Sequence, residues 1–110
     1  MQEWYIYNAR LGKGEGHEQS DERPCILIKA LDEMNMSIVI PLTSTPEAIR
    51  FPFTTTIERT NTNMLRNDSV ALVFQIRSIS NQRLTSQPIG KLSEEKIKKI
   101  KEIIKQVLNL

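Results

Sequence analysis

The 110-residue chain carries 15 Lys and Arg against 13 Asp and Glu, a formal net charge of +2, with 39% hydrophobic and 25% charged residues. Such a chain is long enough to close one core as a single domain, residues 1–110, and no apolar run nears the ~20 residues a membrane helix needs. The charge is too mild to announce a nucleic-acid binder, one cysteine (Cys25) excludes an internal disulfide, and Met1-Gln2-Glu3-Trp4 lacks the pattern of a signal peptide, so a cytoplasmic protein is expected.

Trp4 to Ala9 is aromatic and β-branched and predicts a strand. Arg10 to Glu22 is polar, holds Gly12, Gly14 and Gly16, and predicts a long mobile loop ending at Pro24. Cys25-Ile26-Leu27-Ile28 follows as a buried strand. Asp32 to Asn35 supplies turn chemistry. Ser37 to Leu42 is a second apolar strand, and Pro41 within it predicts a bulge, a bend or a strand end. Phe51 to Ile57 is a further strand, with Pro52 assigning it to an edge. After a polar connection over 61–68, Ser69 to Ile76 gives the clearest buried strand, which Arg77 to Ser80 continues after a bend. Leu84 to Leu92, with Pro88 and Gly90, holds one more short strand.

The chain ends in a helix. Ser93 suits the N-cap, and Glu94 and Glu95 suit the first turn, where the helix dipole favours negative charge. Ile97, Ile100, Ile104 and Val107 repeat at the spacing of one apolar face, which packs either on the sheet or on a partner chain. Five lysines crowd residues 94–105, whereas all seven arginines precede residue 84. Lysines on a helix usually form a solvated face, while guanidinium groups suit bidentate phosphate contacts and surface solubility equally. These elements predict a mainly β domain, a small and strongly curved antiparallel sheet or barrel with the helix on its side.

One histidine and one cysteine cannot build a standard structural zinc site. The glycines at 12, 14 and 16 lack the lysine–hydroxyl pair and the helix of a phosphate loop. No metal or other cofactor is expected, and Cys25 reads as an inert core thiol. Two polar segments at strand ends remain: Gly16-His17-Glu18-Gln19 to Arg23-Pro24, and Thr43-Ser44-Thr45. They are either a site or an ordinary loop and turn. Imidazole ordinarily titrates near neutrality, so His17 either moves a proton, stacks on a base, or is simply solvated.

Taken in order, Gly16-His17-Glu18-Gln19, Arg23-Pro24, Val39-Ile40-Pro41-Leu42-Thr43-Ser44, Phe51-Pro52-Phe53, Asp68-Ser69-Val70 to Ile79, and Ile89-Gly90-Lys91-Leu92-Ser93 resemble the signatures of the MazF/PemK/Kid toxins over nearly the whole chain. The resemblance implies an SH3-like (CcdB/Kid-like) antiparallel barrel with a C-terminal helix, assembled as a homodimer. It implies a toxin endoribonuclease (mRNA interferase) that cuts single-stranded RNA without a metal, the ribose 2′-hydroxyl attacking the adjacent phosphate to leave a 2′,3′-cyclic phosphate and a 5′-hydroxyl. It implies a cognate antitoxin protein that lays an acidic segment into the RNA groove. Position by position it makes Arg23 and Thr43 catalytic, and His17, Glu18, Gln19, Ser44 and Gln75 RNA-binding.

The chain departs from the family in two places. Trp4-Tyr5 stands where Gly-Asp or Gly-Glu is common, and Phe74 stands where many members carry a carboxylate. The arginine–aspartate scheme of the Kid branch has Leu72 and Phe74 at its positions. Two other readings are a catalytically silent relative that binds RNA or protein, and a generic β-barrel interaction domain. The gyrase-poisoning CcdB group uses a C-terminal tryptophan, but this chain ends Val107-Leu108-Asn109-Leu110 and has only Trp4.

Overall fold

The computed structural model describes residues 1–18 and 21–110. In chain order it contains β1 (Tyr5–Arg10), β2 (Glu22–Leu31), β3 (Met36–Thr43), β4 (Thr54–Ile57), β5 (Ser69–Leu72), β6 (Arg77–Ser80), β7 (Gly90–Lys91) and α1 (Glu94–Leu108). The sheet order is β4-β5-β3-β2-β1-β7, with β6 also paired to β3. Every strand pair is antiparallel. The sheet curls into a half-barrel with the helix packed on it, the mainly β class expected.

Alternation sends one set of side chains to each sheet face. Ile6, Ile26, Ile40 and Leu42 form the core on one face, closed by Ile97, Ile100 and Ile103 of α1. The apolar helix stripe therefore packs on this chain's own sheet. Ser93 caps the helix by accepting from the Lys96 N–H at 3.3 Å. The lysines stay on the outer face, apart from Lys96, ion-paired to Glu58 at 3.5 Å, and Lys101, whose ammonium lies 5.6 Å from the Trp4 ring centre. On the opposite face Tyr7, Ala9, Leu11, Cys25, Leu27, Val39 and Ile79 pack together.

Three elements differ from expectation. The loop after β1 is shorter, because Arg10 and Glu22 pair in the ladder and Leu11 and Asp21 close its base through Leu11 N–H to Asp21 O (2.9 Å) and Asp21 N–H to Gly12 O (2.8 Å). The strand expected from Phe51 begins only at Thr54, since Phe53 takes a left-handed backbone conformation (φ 61°) that ends extended structure. The Leu84–Leu92 segment holds its one short strand as expected, at Gly90–Lys91. The expected run Ser69–Ile76 stops at Leu72 and turns through a 3-10 segment, Val73–Gln75, before β6 resumes.

That kink lies where β3 changes partner. On one side β3 pairs with β6 through Met36 to Val39 and with β5 at Leu42 and Thr43. On the other side its ladder with β2 ends at Cys25↔Pro41. Pro41 offers no N–H to either neighbour, so the ladder loses its donor there.

The connection from β4 to β5 is rigidly bonded. Asn63, 5% exposed, accepts from the Thr60 and Leu65 N–H groups and donates to Glu58 O at 2.8 Å. Gly90 lies against this loop, and a Cβ there would come within 2.3 Å of Asn63 O and 2.6 Å of Thr62 O. Gly90→Ala is therefore expected to destabilise the protein by about 2 kcal/mol through forced displacement of packed backbone. Urea unfolding should show a lower midpoint at unchanged slope. An unchanged midpoint would show that the loop yields freely.

Candidate functional site

Beyond Cys25↔Pro41 the two strands run on without ladder pairs. Arg23 and Thr43 each lie two residues beyond that last pair. Both share the sheet face of Cys25 and Pro41, because residues two apart on a strand point the same way. Ala9 flanks Arg23 on the β1 side and Val70 flanks Thr43 on the β5 side. Arg77 stands on this face as well, paired to Val39, and the charges of Arg23 and Arg77 both bear on the Cys25 thiol.

Thr43 is only 6% exposed, and its Oγ1 accepts from the Thr45 N–H at 3.3 Å, which leaves the hydroxyl proton to donate. Ser44 is exposed. Two recesses open on either side of this strand end. The larger, of about 580 Å³, holds Arg23 and Ser44 with Glu22, Asn8, Arg66 and Asn67. The smaller, of about 240 Å³, holds Thr43 with His17, Glu18, Gln75, Phe51 and Phe74. The residues singled out in the sequence thus fall into two neighbouring groups, joined through the adjacent positions 43 and 44. Gln19 lies outside the described residues.

Contacts fix the smaller recess. The Gln75 side-chain amide donates to His17 O at 2.5 Å, tying the 3-10 kink to the loop after β1. Phe74 N–H donates to Phe53 O at 3.3 Å. Within that loop, Glu18 Oε1 accepts from the Glu15 N–H at 3.1 Å and the Glu18 N–H donates to Glu15 O at 3.0 Å. Phe51 and Phe74 meet edge to face, and the His17 ring lies 5.1 Å from that of Phe51. This aromatic group is not visible in the sequence, because its members are 57 positions apart from His17 to Phe74 and Phe74 falls in the 3-10 kink. Arg66 and Arg77 were also unmarked; alternation along β6 was the one signal available for Arg77.

The chain matches a family described as PemK-like, MazF-like toxin of type II toxin–antitoxin system over residues 2–108. No curated protein sequence matches it. Among solved structures, MazF (Form-I) from Deinococcus radiodurans is similar at 16% identity and a TM-score of 0.82, covering 100% of this chain and 97% of that one. The Mycobacterium tuberculosis toxin MazF-mt6 is similar at 19% identity and a TM-score of 0.74, covering 96% and 97%. An endoribonuclease in complex with its cognate antitoxin, from a mycobacterial species, is similar at 15% identity and a TM-score of 0.73, covering 98% and 94%. At these identities the structures report a shared fold.

Cys25 is fully buried beneath the site. Burial pushes its thiol up from 9.0 to about 12, and the Arg77 and Arg23 charges oppose that rise only in part. The thiol is thus protonated and unreactive at neutral pH. Its folded value exceeds its unfolded value, so above pH 9.0 the unfolded chain gives up a proton that the folded chain keeps until about 12. Stability therefore falls as pH rises through that window. Cys25→Ala is expected to be the less stable form at neutral pH, with its deficit narrowing between pH 9.0 and about 12. A deficit constant with pH, measured by denaturant titration, would show that the thiol ionises as readily folded as unfolded.

Proposed function

The chain belongs to the PemK-like, MazF-like toxins of type II toxin–antitoxin systems, and on that premise we propose that it is a metal-independent endoribonuclease cutting single-stranded RNA sequence-specifically. What supports this reading is that Arg23 and Thr43 each lie two residues beyond Cys25↔Pro41, the last pair of the β2–β3 ladder, on the sheet face of that pair. A guanidinium and a hydroxyl in that relation suit a phosphodiester.

In the proposed reaction the ribose 2′-oxygen attacks the adjacent phosphorus and loses its proton to a base. The bond from phosphorus to the 5′-oxygen breaks, and that oxygen gains a proton. The products are a 2′,3′-cyclic phosphate and a 5′-hydroxyl. Negative charge grows on the non-bridging oxygens in the transition state, and Arg23 acts by meeting it with a fixed positive charge. A guanidinium stays protonated at neutral pH, which favours this electrostatic role over proton transfer. Thr43 donates its hydroxyl proton to a phosphate oxygen or orients the 2′-hydroxyl. DNA lacks the nucleophile, so selectivity for RNA follows from the chemistry. In this reading His17, Glu18, Ser44 and Gln75 hold the strand on either side of the bond that is cut.

The same reading makes the protein a cytoplasmic homodimer held in check by a cognate antitoxin whose acidic segment competes with RNA for the Arg23 surface. Two similar structures are toxin–antitoxin complexes by their descriptions, which lends support to such a partner. A second reading, a silent RNA- or protein-binding relative, is favoured by one observation: the kink presents the Phe74 ring to the recess, at a position where the resemblance implies a carboxylate.

Pure protein with a long unstructured RNA in EDTA separates the two. Discrete fragments with 2′,3′-cyclic phosphate ends are expected, with cleavage slowed about 10²–10³-fold in Arg23→Ala, the usual cost of losing one charge-stabilising donor. RNA that is bound but left intact would establish the silent reading. Equal cleavage by Arg23→Ala would remove Arg23 from the reaction.

A further inference from the structure

The aromatic group beside Thr43 has no counterpart among the polar residues the reaction uses. Phe51 and Phe74 are half-buried, their inner sides packed on Ala48, Val70 and Leu72 and their rings 6.1 Å apart. His17 lies tilted against Phe51, and the Arg50 guanidinium sits 5.3 Å from the centre of the same ring. Three rings and a cation therefore border one recess of about 240 Å³, whose polar rim is formed by Glu18, Thr43, Thr45, Glu47 and Gln75. Packing of the hydrophobic core accounts for the inner sides of the rings. It does not account for a recess that leaves their outer sides open next to Thr43.

We propose that this recess is a base-binding subsite: one unpaired base of an RNA strand stacks on the Phe51–Phe74–His17 group, on a nucleotide adjoining the bond cut at Arg23 and Thr43. The inference rests on the nuclease reading for the position of that bond, and on the ring cluster alone for the stacking. Every base has a π face, so stacking supplies affinity with little sequence preference. Preference comes from the rim, where the Glu47 carboxylate accepts only from a base edge that carries N–H groups and the Gln75 amide is already engaged with His17. Arg50 adds positive charge beside the stacked base, where the strand's own phosphate passes. Phe74 is a positioning residue on this account, acting on how the strand is held.

The test uses single-stranded RNA carrying 2′-O-methyl groups, which keeps the bases and removes the nucleophile, with 2-aminopurine substituted at each purine in turn. With wild-type protein, emission is expected to fall at a single position. Phe74→Leu, which preserves apolar packing, is expected to abolish that change and weaken binding about ten-fold, the scale of one lost base–ring stack. Phe74→Trp is expected to keep both. Circular dichroism and melting of each variant confirm that the fold is intact. Unmethylated RNA is assayed for cleavage alongside. Wild type that cuts RNA while no position responds to Phe74→Leu overturns the subsite and leaves the nuclease. A position that depends on Phe74 in a protein that never cuts overturns the nuclease and leaves the subsite. Binding of no strand overturns both.

Discussion

A missing N–H at Pro41 shapes everything around the site. Up to that residue β3 is an ordinary central strand, bonded to β2 on one side and β6 on the other. At Pro41 neither neighbour receives a donor, the β2 ladder ends, and the strand beyond pairs with β5 instead. Facing this change, Val73–Gln75 leave the sheet as a 3-10 turn. Arg23 and Thr43 lie two residues past the last β2–β3 pair. The kink brings Gln75 to the loop after β1.

The loop and the kink complete each other. The Gln75 amide bonds to His17 O, and His17 in turn touches Phe51, which touches Phe74. A loop rich in glycine would otherwise have little to order it, since it buries only Leu11 among its described residues. The site is thus supported from behind by two cores: Cys25, Leu27 and Val39 beneath Arg23, and Ala48, Val70 and Leu72 beneath the rings. The helix serves the other face, closing the larger core with isoleucines while its lysines, apart from the ion-paired Lys96, remain exposed.

Much of this was legible in the sequence, for reasons that are local. The apolar runs of β2 and β3, the capped helix with its isoleucine stripe, and the turn at Asp32–Asn35 all carry their signals within a few residues. The ordered motifs supplied the family, and with it Arg23 and Thr43. What stayed hidden depends on tertiary neighbours. Ser69–Ile76 has the composition of one continuous strand, and the 3-10 turn that breaks it lies where β3 changes partner across the sheet. The Phe51 strand was expected three residues too early because a left-handed Phe53 is not foreseeable from an aromatic side chain. The division of the polar residues into two recesses, and the rings gathered from three separate segments, likewise require the folded sheet.

The central claim is that Arg23 and Thr43, set across the end of the β2–β3 ladder, act on one phosphate. A double-mutant cycle on single-turnover RNA cleavage by wild type, Arg23→Ala, Thr43→Val and the double variant addresses it directly. Groups that serve the same transition state are expected to be non-additive, with a coupling of about 1 kcal/mol or more. Additive losses, within about 0.5 kcal/mol, would mean the two residues act on different parts of the reaction and would contradict the account.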